Sequence, residues 1–513
     1  MPPTRKEDPL VRYYLTTAID YVNSRPHLGT AYEKVTADVI ARYHRALGRD
    51  VHFLMGNDEH SQKVERAARD QGLTPMEWCD RMELQFRQAW DSLDIAPDDF
   101  IRTSQERHKT AVRHMVQAIH ERGFLYEGTY EGWYCVGCEA FKNEADLVEG
   151  KCPDHKTRTP DWLKERNWFF KLSAFRASLL AHYEAHPEFV QPSFRRNELL
   201  SLLNQGLEDV SVSRSSVSWG VPFPFDPGAV VYVWFDALIN YIAGAGYPDD
   251  KEAMARWWPA DLHLIGKDIT RFHCVIWPAM LMAAGLPLPR TVFGHGFINM
   301  GADRMSKSSG VTTDPQTLVS TYGSDAIRYY LCSEASFGQD LTWSEERLKI
   351  VINSDLANGL GNLASRVISM IVKYQGGRLG EVPASSAYLD AARLVPARYR
   401  EAMEDFDLRG ALALAMGIVQ EGNIHVDRTQ PFILAKDPNR AKELEGVLAE
   451  LCHGLLIAAC LLFPFMPKKM GQLYTDLCGE AIDPLAAVLH APDARLSADR
   501  ILAKGTGLFP RVE

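Results

Sequence analysis

Apolar residues in the first sixty positions follow two different periods. Val11 to Ile19 predicts a buried strand, and Val51 to Met55 predicts a second. Between them, apolar residues at 31, 35, 39, 40, 43 and 47 form one helical face that Gly48 stops. The turn feeding that helix reads Pro26-His27-Leu28-Gly29, and the second strand runs into the polar loop Gly56-Asn57-Asp58-Glu59-His60. Strand, turn, helix, strand predicts the opening of a parallel, doubly wound sheet. Helical periodicity continues over 60–72, 75–92 and 105–122, where Gly123 closes it.

From 124 to 228 the alternation gives way to cysteines, aromatic turns and short mixed elements, with Pro and Gly dense at 220–228. It resumes at Val230: Val230–Trp234 is expected as a strand before the helix Asp236–Ala245. His263–Ile265 precedes the helix Ile269–Ala284, and Val292–Phe297 is the last strand. Beyond Asp355 helical periodicity dominates. The predicted fold is α/β: a Rossmann-like parallel-sheet catalytic domain split by an insertion, then an all-α helical bundle. The expected segments are 10–122, 123–228 as the insertion, 229–298 as the second half of the sheet, 299–354, and 355–513 as the bundle.

Length supports several domains, since 513 residues exceed one ordinary core. A composition of 46% hydrophobic and 24% charged residues is that of a globular chain, so disorder is excluded as the main state. The most apolar stretch, Leu455–Phe465, is too short to span a bilayer, so no membrane partner is expected. Met1 to Pro9 carries no apolar core of an export signal. Five of the nine cysteines (Cys79, Cys274, Cys332, Cys452 and Cys460) sit in apolar or helical contexts and read as reduced thiols of a cytoplasmic protein. A net charge of −10 argues against an all-over basic surface but permits a local positive track.

Three stretches carry candidate chemistry. In an open α/β sheet ligands sit beyond the strand carboxyl ends, against helix N-termini whose free N–H groups favour phosphate. At the first such turn Pro26 stiffens the chain, Gly29 permits close approach of a nucleoside, and His27 and Thr30 offer donors to phosphate oxygens. A strand–helix turn with a capping threonine accounts for these residues equally well. "GADRMSKSSG", residues 301–310, is a polar, glycine-bounded loop in which Lys307, Ser306 and Ser308 suit a leaving pyrophosphate; alone it reads as a solvated loop. "YCVGCEAFKNEADLVEGKCPDH" spaces Cys135 and Cys138, then Cys152 and His155, by two residues each. That spacing suits one tetrahedral Zn²⁺ with a closed, structural ligand set, with Asp154 as an alternative fourth ligand.

Taken together, the first two stretches resemble the HIGH and KMSKS signatures of class I aminoacyl-tRNA synthetases, as His27-Leu28-Gly29-Thr30 and Arg304-Met305-Ser306-Lys307-Ser308. Thr30 stands where the signature ends in histidine, and Arg304 where it begins with lysine. Nearly the whole chain resembles the methionyl-tRNA synthetase family, through "TTAIDYVNSRPHLG", "VWFDALINY", "HLIGKDITRFH", the cysteine cluster and "NGLGNLASR". The resemblance implies a methionine–tRNA ligase that takes ATP with Mg²⁺, L-methionine and tRNA(Met), and carries the zinc in a knuckle within the insertion. By the same resemblance His27, Thr30 and Lys307 are catalytic, and His27, Gly29, Thr30, Lys267, Arg304, Ser306 and Lys307 hold ATP. Methionine would lie among Ile19, Tyr21, Asp58, Trp234, Ala237, Leu238, Tyr241, Ile269 and His273, with Asp58 on its ammonium group. Aromatic edges around a polarizable thioether fit that assignment; core packing explains each aromatic equally well when taken singly.

In the last third, apolar residues at 356, 360, 363, 367, 370 and 371 predict a buried helical face, with Asn358, Asn362 and Arg366 on another. The resemblance makes Asn362 and Arg366 readers of anticodon bases and Phe432 the stacking ring. Amides, guanidinium groups and rings are the chemistry that reads splayed bases. A monomer is expected, because the chain ends without the additional C-terminal domain that dimerises some relatives.

Overall fold

The computed structural model describes residues 11–137, 140–142, 144, 147–153, 159–300, 303–304, 313–482, 501–503, 505 and 507–513. The chain opens with β1 (Arg12–Thr17), the two-residue β2 (Asp20–Tyr21), α1 (Leu28–Ala46) and β3 (Asp50–Asp58). Ala31, Val35, Val39, Ile40 and Tyr43 of α1 are buried, the face that the periodicity predicts, and Gly48 follows at φ +73°. Next come β4 (Asp99–Arg102) and α2 (Glu106–Glu121). The insertion builds an antiparallel sheet around β5 (Leu125–Cys135) and β6 (Asp161–Phe170), then sends out β7 (Val190–Gln191). After α3 (Val233–Leu238), the strands β8 (Leu262–Gly266) and β9 (Thr291–His295) complete the main sheet.

That sheet is parallel throughout, in the order β4–β3–β1–β8–β9–β7, with β2 pairing to the end of β3. β1 lies between β3 and β8, so the chain leaves it in opposite directions and opens a crevice beyond its carboxyl end. Two departures from the expected pattern bear on the site. The segment read as an insertion returns β7 to the main sheet, beside β9. Val230–Trp234 is not a strand of that sheet. Asp226–Val231 pairs antiparallel with Ser213–Arg214 and Pro222–Phe223, and Trp234 already belongs to α3. A run of β-branched residues cannot say which sheet it joins, and here the nearer hairpin partners win.

After β9 the chain makes a hairpin of β10 (Ile298–Met300) and β11 (Asp303–Arg304), the former also pairing with Leu341–Thr342. The remainder of the described residues is mainly helical. The predicted buried face of the Asn362–Gln375 helix and its π-helical approach, Ile352–Gly361, is realised by Leu356, Leu360, Leu363, Val367 and Ile371. One helix among the described residues is long and apolar enough to cross a membrane; 83% of that window is buried, which marks it as the core helix of the bundle. Arg328, fully buried, bonds Asp38 of α1 at 2.7 Å and the carbonyls of Leu93, Pro464 and Phe465. This pins the bundle to the sheet.

Candidate active site

His27 caps α1 with its side chain. Its Nδ1 accepts from the Thr30 N–H at 3.3 Å, while the Thr30 hydroxyl accepts from the His27 N–H at 3.1 Å and donates to the His27 carbonyl at 2.7 Å. This reciprocal box uses the hydroxyl proton of Thr30 within the turn and, for a neutral ring, places the imidazole proton on Nε2. Leu28 donates its N–H to the carbonyl of Thr313 at 2.9 Å. Thr313 is the first described residue after the polar loop, and it meets the mouth of α1. Arg304 lies in β11, while Ser306 and Lys307 fall outside the described residues. On the other side of the crevice Lys267, just past β8, meets both oxygens of Asp340 at 2.6 and 2.8 Å. Asp340 also accepts from the Phe297 N–H at 2.9 Å, which ties Lys267 to the base of the hairpin. Burial would raise the Asp340 carboxyl, but the bonds from Lys267 and Phe297 outweigh it and hold it below the ordinary value.

Of the nine residues assigned to methionine, Ile19, Tyr21, Asp58, Ile269 and His273 stand at or just past the ends of β1, β3 and β8, and the other four lie on or just after α3. Tyr21 and Asp58 are cross-strand partners of β2 and β3, and Asp58 is 3% exposed. Trp234 meets Tyr21 edge-on at 6.1 Å and stacks on Phe272 at 3.9 Å and 12°. Ala237 and Leu238 are buried one turn further along α3. His273 bonds the Ile269 carbonyl through Nδ1 at 3.0 Å and the Tyr241 hydroxyl through Nε2 at 2.6 Å. A carbonyl only accepts, so Nδ1 carries the proton and Tyr241 donates to Nε2. Burial pushes His273 down to about 4 and Tyr241 upward, so both are neutral near pH 7. Ile19 and Ile269 are half-buried against the cluster containing Leu238 and Tyr241.

A second layer holds these groups. His263 accepts from Trp277 Nε1 at 3.3 Å and donates through Nδ1 to the Thr16 hydroxyl at 2.6 Å, with its ring 4.4 Å from that of Tyr241. Lys34 Nζ, fully buried, reaches Glu33 at 2.6 Å, Asp20 at 3.3 Å and the Ala18 carbonyl, and Glu33 in turn meets His295 at 2.9 Å. Burial alone would lower Lys34; its two carboxylates outweigh that and raise it. The network joins the loop after β1 to α1 and to the end of β9.

Comparison with known proteins decides what this crevice belongs to. The family model "tRNA synthetases class I (M)" matches residues 13–160 and 155–368. A methionine–tRNA ligase of Streptomyces coelicolor is 43% identical over 98% of this chain and 97% of its own length; one from Caldanaerobacter subterraneus subsp. tengcongensis is 43% identical over 98% and 79%. The chain belongs to the methionine–tRNA ligases. Methionyl-tRNA synthetase of Mycobacterium tuberculosis in complex with methionyl-adenylate superposes with a TM-score of 0.94 at 41% identity, covering 98% of this chain and 100% of that one. The apo form of that enzyme superposes at 0.85 and 38% identity, covering 99% of each chain.

Two further parts of this ligase were expected from its sequence. Cys135 ends β5 and Cys152 follows an isolated bridge between Val148 and Lys151; both are buried. Cys138, Asp154 and His155 lie outside the described residues, and among those described no three metal-binding side chains group together. In the bundle Asn362 is exposed and Arg366 is one-third exposed, 3.3 Å from Asp427. Asn358 accepts two bonds from Arg511, which occupies it with the C-terminal tail. Phe432 is 42% exposed, so its ring is not core packing.

Phe272, His263, Asp236 and the Lys34 network escaped sequence reasoning. Only Phe272 left a signal: it follows Ile269 by three residues, on the same side of a helical turn.

Proposed function

We infer that this ligase activates L-methionine with ATP, giving methionyl-adenylate and pyrophosphate, and then passes the methionyl group to the 3′ end of tRNA(Met). The observation that carries this reading at the level of residues is the bond from Leu28 to Thr313. Thr313 follows the lysine-bearing stretch in the chain, and Leu28 belongs to the turn expected to hold ATP.

The methionine carboxylate is itself the nucleophile at the α-phosphorus, so the protein's work is alignment and charge stabilisation. Asp58 takes the ammonium group from a site that water barely reaches. Trp234, Tyr21 and Tyr241 present ring edges to the thioether, with Ile19, Ala237, Leu238 and Ile269 as apolar walls. His273, neutral and bonded on both nitrogens, keeps Tyr241 turned so that no cation faces the thioether. Gly29 admits the nucleoside, and the Nε2–H of His27 donates to a phosphate oxygen. Thr30 acts through His27 by fixing its tautomer and angle. Lys267, Arg304, Ser306 and Lys307 neutralise the phosphates, Lys307 most strongly as pyrophosphate leaves. Mg²⁺ accompanying ATP would add positive charge to its phosphates. Cys135, Cys138, Cys152 and His155 hold one structural Zn²⁺ in the insertion. Asn362 and Arg366 read anticodon bases and Phe432 stacks on one. The ligase works as a cytoplasmic monomer.

Amino-acid-dependent ATP–pyrophosphate exchange with all twenty amino acids tests this, followed by charging of tRNA(Met). Methionine alone should support strong exchange and charging. Comparable exchange with another amino acid, or none with methionine, refutes it.

A further inference from the structure

We propose that Asp236, gripped by His60 and His108, is a positioning residue that sets the separation between the two ends of the methionine site. The proposal rests on the methionine-site reading given above. Asp236 is fully buried, and each carboxylate oxygen meets one imidazole: Oδ2 with His60 Nδ1 and Oδ1 with His108 Nε2, both at 2.7 Å. Both histidines are buried as well. Burial alone would push the Asp236 carboxyl upward; the two rings outweigh it and hold it at about 2, so the group is a carboxylate throughout the working range.

Each member comes from a different segment. His60 stands two residues after Asp58, in the loop leaving β3. Asp236 stands two residues after Trp234 and directly before Ala237 on α3. His108 lies on α2, which contributes no residue to the methionine set. His108 Nδ1 has no hydrogen-bond partner among the described residues, so the ring's polar contact is the one to Asp236. Trp219 closes the outer side, donating Nε1–H to the Glu59 carbonyl at 2.6 Å with its ring edge-on to His60 at 5.4 Å.

The carboxylate thus ties the strand end that carries the ammonium-binding Asp58 to the helix that carries Trp234. A buried carboxylate with two donors has a narrow range of low-energy geometries, because losing either donor leaves a lone pair unsatisfied in a dry site. Buried polar contacts of this kind are weak evidence for stability, so the role assigned to them here is geometric. If the tie slackens, the ammonium end and the thioether end shift relative to each other while the ATP turn on α1 stays put. The expected signature is therefore specific to methionine.

The test uses the full-length enzyme and three variants read by ATP–pyrophosphate exchange and thermal melting. His108→Leu removes the donor at Nε2, His108→Gln restores an N–H near the same place, and Asp236→Asn removes the charge. His108→Leu and Asp236→Asn should each raise KM for methionine about tenfold or more, with KM for ATP within about twofold of wild type. His108→Gln should bring KM for methionine back to within about threefold. The proposal is overturned if folded His108→Leu and Asp236→Asn keep the wild-type KM for methionine, if KM for both substrates rises in parallel, or if Gln and Leu at 108 behave alike. If His108→Leu fails to fold, Asp236→Asn set against His108→Gln decides by the same criteria. Asp58→Ala separates the two levels of inference: an unchanged KM for methionine there refutes the methionine-site reading itself. A raised KM there, with wild-type values in the tie variants, refutes the positioning role alone.

Discussion

Around the crevice Asp58, Leu238, Tyr241 and His273 are buried and packed at the sheet or against one another, whereas on the bundle Asn362 and Phe432 are exposed and Arg366 pairs with the exposed Asp427. The difference matches what each region is proposed to hold. Methionine offers one charged end and a flexible thioether, and one missing methylene changes affinity by only about 1–3 kcal/mol. Its site must therefore be ordered before the ligand arrives, with the cost of that order met by folding. An anticodon brings bases and phosphates enough to order exposed side chains on contact, so in the proposed reading Arg366 needs only to be released from Asp427.

Variants can break this contrast in a graded way. The largest effect is expected from Lys307→Ala, which should slow adenylation by about a hundredfold or more while leaving methionine affinity near wild type. Rapid-quench measurement of adenylate formation checks it. Asp58→Ala should weaken methionine by about a hundredfold, the scale of losing one partner of a buried charge pair, with ATP affinity unchanged. Arg366→Ala should raise KM for tRNA about tenfold and leave pyrophosphate exchange untouched; equal loss in both assays would show that the two regions are not separable. Phe272→Leu, which removes the ring stacked on Trp234, should raise KM for methionine about threefold to tenfold. The smallest effect concerns pH. His273 lies near 4 in the folded chain because of burial, below its unfolded value of about 6.5. The unfolded chain thus binds the extra proton first, and the stability linked to this ring is complete above about 6.5 and is lost as pH falls toward 4. Melting temperature followed over that window should fall less steeply in His273→Gln than in wild type.

The sheet and the ligand turns were legible because their signals are local. The helical face of α1, the stop at Gly48 and the alternation through β8 and β9 each lie within one short window of sequence. The allegiance of Val230–Trp234 was not, since the choice between two sheets depends on partners far along the chain. The same limit hid β7, whose two residues make a strand only because β9 lies beside them. Of the proposed site, resemblance supplied the side chains assigned to the ligand. The residues behind them (Asp236, His60, His108, Lys34 and Glu33) are charged or polar groups that composition assigns to the surface. Only the fold brings opposite partners close enough to bury them.

Isothermal titration of L-methionine into the free enzyme, without ATP or tRNA, tests most directly whether the pocket is built in advance. Saturable binding of one methionine per chain is expected, weakened about a hundredfold in Asp58→Ala and retained in Arg366→Ala. Binding that appears only when ATP or tRNA is added, or that survives Asp58→Ala unchanged, would contradict it.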